Sequence, residues 1–95
     1  MSIIRLSQIK NWRNKMTEYR VWRCINFPSP AKHYPVNSPE EGADKINKLA
    51  KIDLRNPRVG ANAFGLEVFE DGEWVEWYDE DGNDIDDLAY ERWSK

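Results

Sequence analysis

The chain has 95 residues, of which 40% are hydrophobic, with five Trp, four Tyr, three Phe, one Cys and a formal net charge of -3. A chain this short leaves room for one domain with a small, aromatic-rich core. The single Cys24 excludes an internal disulfide, and the absence of a long apolar run or a secretory signal pattern points to a cytoplasmic protein.

Residues 1–16 place Ile3, Leu6, Ile9 and then Trp12 or Arg13 at three-residue steps, which predicts an amphipathic helix capped by Ser2. Arg5, Lys10, Arg13 and Lys15 make it basic. Its apolar stripe is narrow, so it needs a neighbour, either the rest of the domain or a second chain in a homodimer. Residues 17–95 are expected to form an α+β core.

From Thr17 to Phe27, Tyr19, Val21, Arg23, Ile25 and Phe27 alternate with Arg20, Trp22, Cys24 and Asn26, predicting a strand. Apolar residues on both faces favour a central position. Pro28-Ser29-Pro30 ends it, and Lys32–Val36 predicts a short strand that Pro35 confines to an edge. Ser38-Pro39-Glu40-Glu41 then marks a helix start: a capping serine, proline at the first helical position and acids on the positive end of the dipole. This helix is expected to run to Leu54, burying Ala43, Ile46, Leu49, Ala50 and either Asp53 or Leu54.

Ala61–Glu70 predicts a strand with Phe64, Leu66 and Val68 on one face. Asp71-Gly72 predicts a tight hairpin turn into a partner strand from Glu73 to Tyr78. Asn62 and Gly65 are read as a turn residue and a bulge, or else as part of a ligand pocket. Asp79–Asp84 is a second turn, and Asp86–Lys95 a short helix. The resulting fold class is α+β: a three- to four-stranded antiparallel sheet, the Ser38–Leu54 helix on one face, and terminal helices that cover the other face or mediate association.

Charge divides along the chain. Residues 1–60 hold twelve Lys/Arg and five Asp/Glu, whereas residues 61–95 hold twelve Asp/Glu and two Lys/Arg. Such an asymmetry suggests interaction surfaces, and the dense carboxylates repel one another at a cost to stability.

Chemical motifs are weak beside this. The acidic run Asp79–Asp86 places Gly82 too early and lacks the closing Glu of a calcium loop, so a turn followed by a helix cap at Asp84 or Asp86 fits better. Glu67 and Glu76 face one another across the hairpin, where solvated carboxylates are expected rather than an acid/base pair. Cys24 reads as a buried thiol, with the only histidine, His33, in a proline-flanked segment. No catalytic residues, metal or cofactor are expected.

The stretch YRVWRCINFPSPAKHYPVNSPEEGADKINKLA, with ANAFGLEVFEDGEWVEWYDEDGNDID after it, resembles small proteins encoded by bacteriophages and mobile elements. The resemblance spans Tyr19 to Asp86. It implies a non-enzymatic inhibitor or modulator of a host protein that handles nucleic acid or serves defence, acting in the host cytoplasm. The residues expected to contact such a partner are Glu73, Trp74, Glu76, Trp77, Tyr78, Asp79, Asp81, Asp84 and Trp93. One alternative is a small, nucleotide-like ligand held by Trp22, Asn62 and Trp74. Another is nucleic-acid binding by the basic N-terminal helix, with Trp12, Tyr19 and Trp22 as stacking platforms.

Overall fold

The first strand, β1 (Tyr19–Ile25), is followed by β2 (Lys32–Val36), α1 (Pro39–Leu54), β3 (Asn62–Glu70), β4 (Glu73–Glu76) and α2 (Ile85–Arg92). The computed structural model describes residues 17–26 and 29–94, so the helix expected over residues 1–16 lies outside the described residues. The strands form one sheet in the order β2-β1-β3-β4, every neighbouring pair antiparallel. The chain thus passes twice through strand, strand, helix, with β1 and β3 pairing at the centre and β2 and β4 at the edges.

Local chemistry accounts for the boundaries. Ser38 caps α1, its hydroxyl accepting the Glu41 N–H at 3.1 Å, while the Glu41 carboxylate reaches back to the Asn37 N–H, one residue before the usual capping-box partner. Asp71 (φ 51°) and Gly72 (φ 85°) both take positive φ, as a two-residue hairpin connection between right-twisted strands requires. Asn26 (φ 53°) clamps the segment before β3: its amide donates to the Arg58 carbonyl, and its side-chain oxygen accepts the Gly60 and Ala61 N–H groups.

One sheet face carries both helices. Val21 and Leu66 lie directly opposite one another, both fully buried, and pack with Ala43, Ile46 and Leu49 of α1 and Ile85 and Ala89 of α2. The second helix therefore lies beside the first on the same face, rather than covering the opposite one. Two features hold it there: Ile85 and Ala89 feed the shared core, and the buried Asn47 amide donates to the Ala89 carbonyl at 2.8 Å. The Arg92 guanidinium adds a two-pronged ion pair with Asp44 at 2.8 and 2.9 Å.

Helical geometry decides the last position of the α1 stripe. Asp53 is 3% exposed and Leu54 is 77% exposed, so the carboxylate, not the leucine, turns inward. Its partner is Arg23, which β1 projects onto the helix-bearing face. Arg23 binds both oxygens of Asp53 and donates to the Tyr34 hydroxyl at 3.3 Å, while the Asn62 amide donates to Asp53 at 3.0 Å.

Gly65 corrects a second expectation. Strand β3 runs through it in register, Gly65 opposite Trp22, without a bulge. The glycine is there because the Trp22 indole lies across it: a Cβ on Gly65 would stand 2.1 Å from the indole nitrogen.

Candidate interaction surfaces on the acidic half and the open sheet face

The face of the sheet opposite the helices carries Arg20, Trp22, Glu67, Phe69, Trp74 and Glu76. Strand alternation places them there, and no described element packs over them. They form a connected layer. Arg20 pairs with Glu67 at 2.7 Å and stacks on the Trp74 ring, 4.2 Å from its centroid; Phe69 meets Trp74 edge-on at 5.2 Å; the Trp22 indole N–H points at Glu76 at 3.4 Å. His33 stands 3.9 Å from Glu67. The expected pairing of Glu67 with Glu76 across the hairpin is present, but both are half-buried and engaged with these neighbours rather than freely solvated.

Burial raises the Glu76 carboxyl above its ordinary range, the charges of Glu67 and Asp84 push the same way, and the Trp22 and Leu66 hydrogen bonds oppose them. Asp86 is likewise raised, by burial first and then by Asp84 and Asp87. Asp53 moves in the opposite direction: burial works to raise it, but the hydrogen bonds from Arg23 and Asn62 prevail and lower it. Its partner Arg23 is raised, chiefly by the Asp53 hydrogen bond and against desolvation.

These shifts predict a peaked pH profile of stability. Glu76 and Asp86 hold protons more tightly in the folded state, so their contribution is present at low pH and lost as pH rises through their folded values. The Asp53 contribution is present at neutral pH and lost as pH falls through its lowered value. Melting followed by circular dichroism should therefore give a Tm that gains as pH falls through the raised Glu76 and Asp86 values, just above the ordinary carboxylate range, and drops at still lower pH as Asp53 takes up its proton. In Glu76→Gln the rise should be smaller; a Tm that declines steadily from neutral pH downward would contradict these directions.

The acidic half lies around β4, the following loop and α2. Nine of its twelve carboxylates are exposed: Glu70, Asp71 and Glu73 at the hairpin, Glu80, Asp81 and Asp84 in the loop, and Asp86, Asp87 and Glu91 on α2. None of the nine makes an ion pair among the described residues. Helix α2 turns Ile85, Leu88 and Ala89 inward and leaves Asp86, Asp87, Tyr90 and Glu91 outward, with Tyr90 85% exposed.

The residues expected to contact a partner have different duties. Asp79 accepts the N–H groups of Asp81 and Asn83, shaping the loop, and Asp84 caps α2 through the Asp86 N–H. Trp77 packs against the core. Trp74 and Glu76 belong to the open sheet face. Trp93 lies under the Lys51 ammonium, 4.8 Å from its ring centroid. Glu73, Asp81 and Tyr78 are exposed, and Tyr90, Asp87 and Glu91 join them on the surface, beyond the contact residues expected from the sequence. Their signal was the i, i+4 spacing of Asp87 and Glu91, which puts both on one side of the helix.

The alternative ligand set is separated by the sheet. Asn62 projects to the helix-bearing face, where Asp53 takes its amide, whereas Trp22 and Trp74 lie on the other. Two hollows of about 420 and 470 Å³ lie elsewhere, by Arg23, Ile25 and Pro30 and by Asp44, Asn47 and Lys48, and none of those three residues lines either. Of the proposed stacking platforms, Tyr19 packs against the core, Trp22 lies flat over Gly65, and Trp12 is outside the described residues. The Cys24 thiol is buried and donates to the Ser29 carbonyl at 3.1 Å. Among the described residues no helix is long and apolar enough to cross a membrane.

The fold and surface define an α+β domain with a four-stranded antiparallel sheet, two helices on one face and an acidic flank. Comparison with known protein families, with curated proteins and with solved structures finds no match for the chain.

Proposed function

We propose that this protein is a non-enzymatic binding protein whose acidic flank engages a basic surface on a macromolecular partner, of the kind that binds nucleic acid. The observation that carries the reading is the exposed, unpaired carboxylates of the loop and α2, interspersed with Tyr78 and Tyr90. Like charges held this close cost stability; Asp86 is raised by burial first, and Asp84 and Asp87 add to it. A partner rich in Lys and Arg relieves that repulsion on binding, and exposed tyrosines supply apolar contact with a polar tip. The resemblance to small phage and mobile-element proteins supports a host protein as the partner and inhibition by nucleic-acid mimicry as the outcome.

The test uses Glu73, Glu80, Asp81, Asp87 and Glu91, none of whose side chains makes a hydrogen bond or ion pair among the described residues. The tagged protein should capture a stoichiometric protein partner from nuclease-treated bacterial lysate. Changing the five to Gln or Asn should weaken the isolated complex by roughly ten- to a thousandfold, chiefly through slower association. The far-ultraviolet circular dichroism should stay unchanged. Equal capture by the variant, or capture of nucleic acid alone, would remove this reading.

A further inference from the structure

Two ring-and-carboxylate pairs lie on the open sheet face, and the described residues supply a cation to one of them. The Arg20 guanidinium stacks on Trp74, 4.2 Å from the ring centroid, and closes on Glu67 at 2.7 Å. The second pair is Trp22 with Glu76, the indole N–H pointing at the carboxylate from 3.4 Å. Glu76 makes no ion pair among the described residues, and His33 approaches Glu67 rather than Glu76. The cross-strand row of Arg20, Glu67 and Glu76 thus sets two carboxylates against one cation.

We propose that the outer face of the Trp22 ring and the Glu76 carboxylate together form a receptor for an arginine side chain of another polypeptide. The ring is seated for this. Gly65 lies against one of its faces, as the 2.1, 2.3 and 2.5 Å approach of a Cβ there to three indole atoms shows. The other face looks away from the sheet, on the side where no described element packs. A π-face of this kind attracts a cation laid over it, and indole does so best among the aromatic side chains.

Charge complementarity supplies the second half of the argument. Glu76 is half-buried, and its carboxyl is raised by that burial, against the Trp22 hydrogen bond, with the Glu67 charge adding to the rise. An incoming cation provides the counter-charge that the carboxylate lacks. Guanidinium fits better than ammonium for two reasons. It is planar, so it stacks on the indole while its edge N–H groups donate to a carboxylate, and it is more weakly hydrated, so it leaves water more readily. Arg20 already does both between Trp74 and Glu67. Neither Trp22 nor Glu76 belongs to the exposed carboxylates of the hairpin, loop and α2, so the receptor stands whether or not that flank binds a partner.

The experiment is a titration of the full chain at low salt with N-acetylarginine amide, followed by nuclear magnetic resonance at the Trp22 indole N–H. The resonance should move along a saturable curve with Kd on the order of 10 mM, the strength of a single stacked and paired cation. Uncharged N-acetylglutamine amide should leave it in place. Glu76→Gln keeps an oxygen facing the indole N–H and removes the charge, and it should weaken arginine binding about three- to tenfold. Changing Glu73, Glu80, Asp81, Asp87 and Glu91 to Gln or Asn should alter the affinity by less than about twofold, because those charges are screened. A shift no larger than glutamine gives, equal affinity in Glu76→Gln, or a shift lost only with the five flank acids would overturn the proposal. Equal binding of N-acetyllysine amide would overturn the assignment to arginine.

Discussion

Replacing Asp53 by Ala is expected to cost about 3–5 kcal/mol of folding stability, the usual price of leaving a buried charge without its partner. Asp53 is 3% exposed and receives Arg23 and Asn62; removing it strands the Arg23 guanidinium between α1 and the sheet with only the Tyr34 hydroxyl to accept from it. Against a total stability of about 5–15 kcal/mol for a domain of this kind, the loss is large enough to populate the unfolded state in mild urea. Equilibrium urea unfolding reads it as a lower midpoint at unchanged slope. Replacing both members with apolar residues, Arg23→Met with Asp53→Leu, should recover much of the loss, since the pair's cost of burial disappears with its attraction. A loss below about 1 kcal/mol for Asp53→Ala would mean that Arg23 swings into water at little cost.

Gly65→Val is expected to cost about 1–3 kcal/mol, although valine is the better strand former. A Cβ at this position would stand 2.1, 2.3 and 2.5 Å from three atoms of the Trp22 indole, so the ring must leave its seat and give up its contact with Glu76. The displaced indole should shift the tryptophan emission to the red. Combining Gly65→Val with Trp22→Ser should cost less than the two single losses added together, with a coupling of about 0.5–3 kcal/mol. Strict additivity would show that the ring and the glycine do not depend on each other.

What was legible in the sequence was local. Ser38, Pro39 and Glu41 announce the start of α1 because a helix end is satisfied by side chains within a few residues. Asp71-Gly72 announces its turn because both residues must take positive φ. Alternation gave β1 a central place and put Phe64, Leu66 and Val68 on one face, since period two is a property of the strand alone. The misses were matters of tertiary partnership. Nothing near Asp53 signals Arg23, which lies on another strand, and an acid at the end of an apolar stripe looks no better than the leucine beside it. Gly65 looked like a bulge because the ring that requires it belongs to β1. The acidic flank was visible as composition, but its division was not: Asp79 and Asp84 serve the backbone, Trp77 serves the core, and only the exposed remainder faces outward.

The doubled order of strand, strand and helix has a consequence for how the chain reaches this structure. Each half can close its hairpin early, because β1 with β2 and β3 with β4 are joined by short connections. The central pairing cannot: Tyr19 meets Val68 about half the chain away, across the whole of α1. Neither half owns a core before that meeting, since Val21 and Leu66 supply the floor on which α1 and α2 pack together. The expected slow step is therefore the pairing of β1 with β3, the sheet contact of greatest sequence separation.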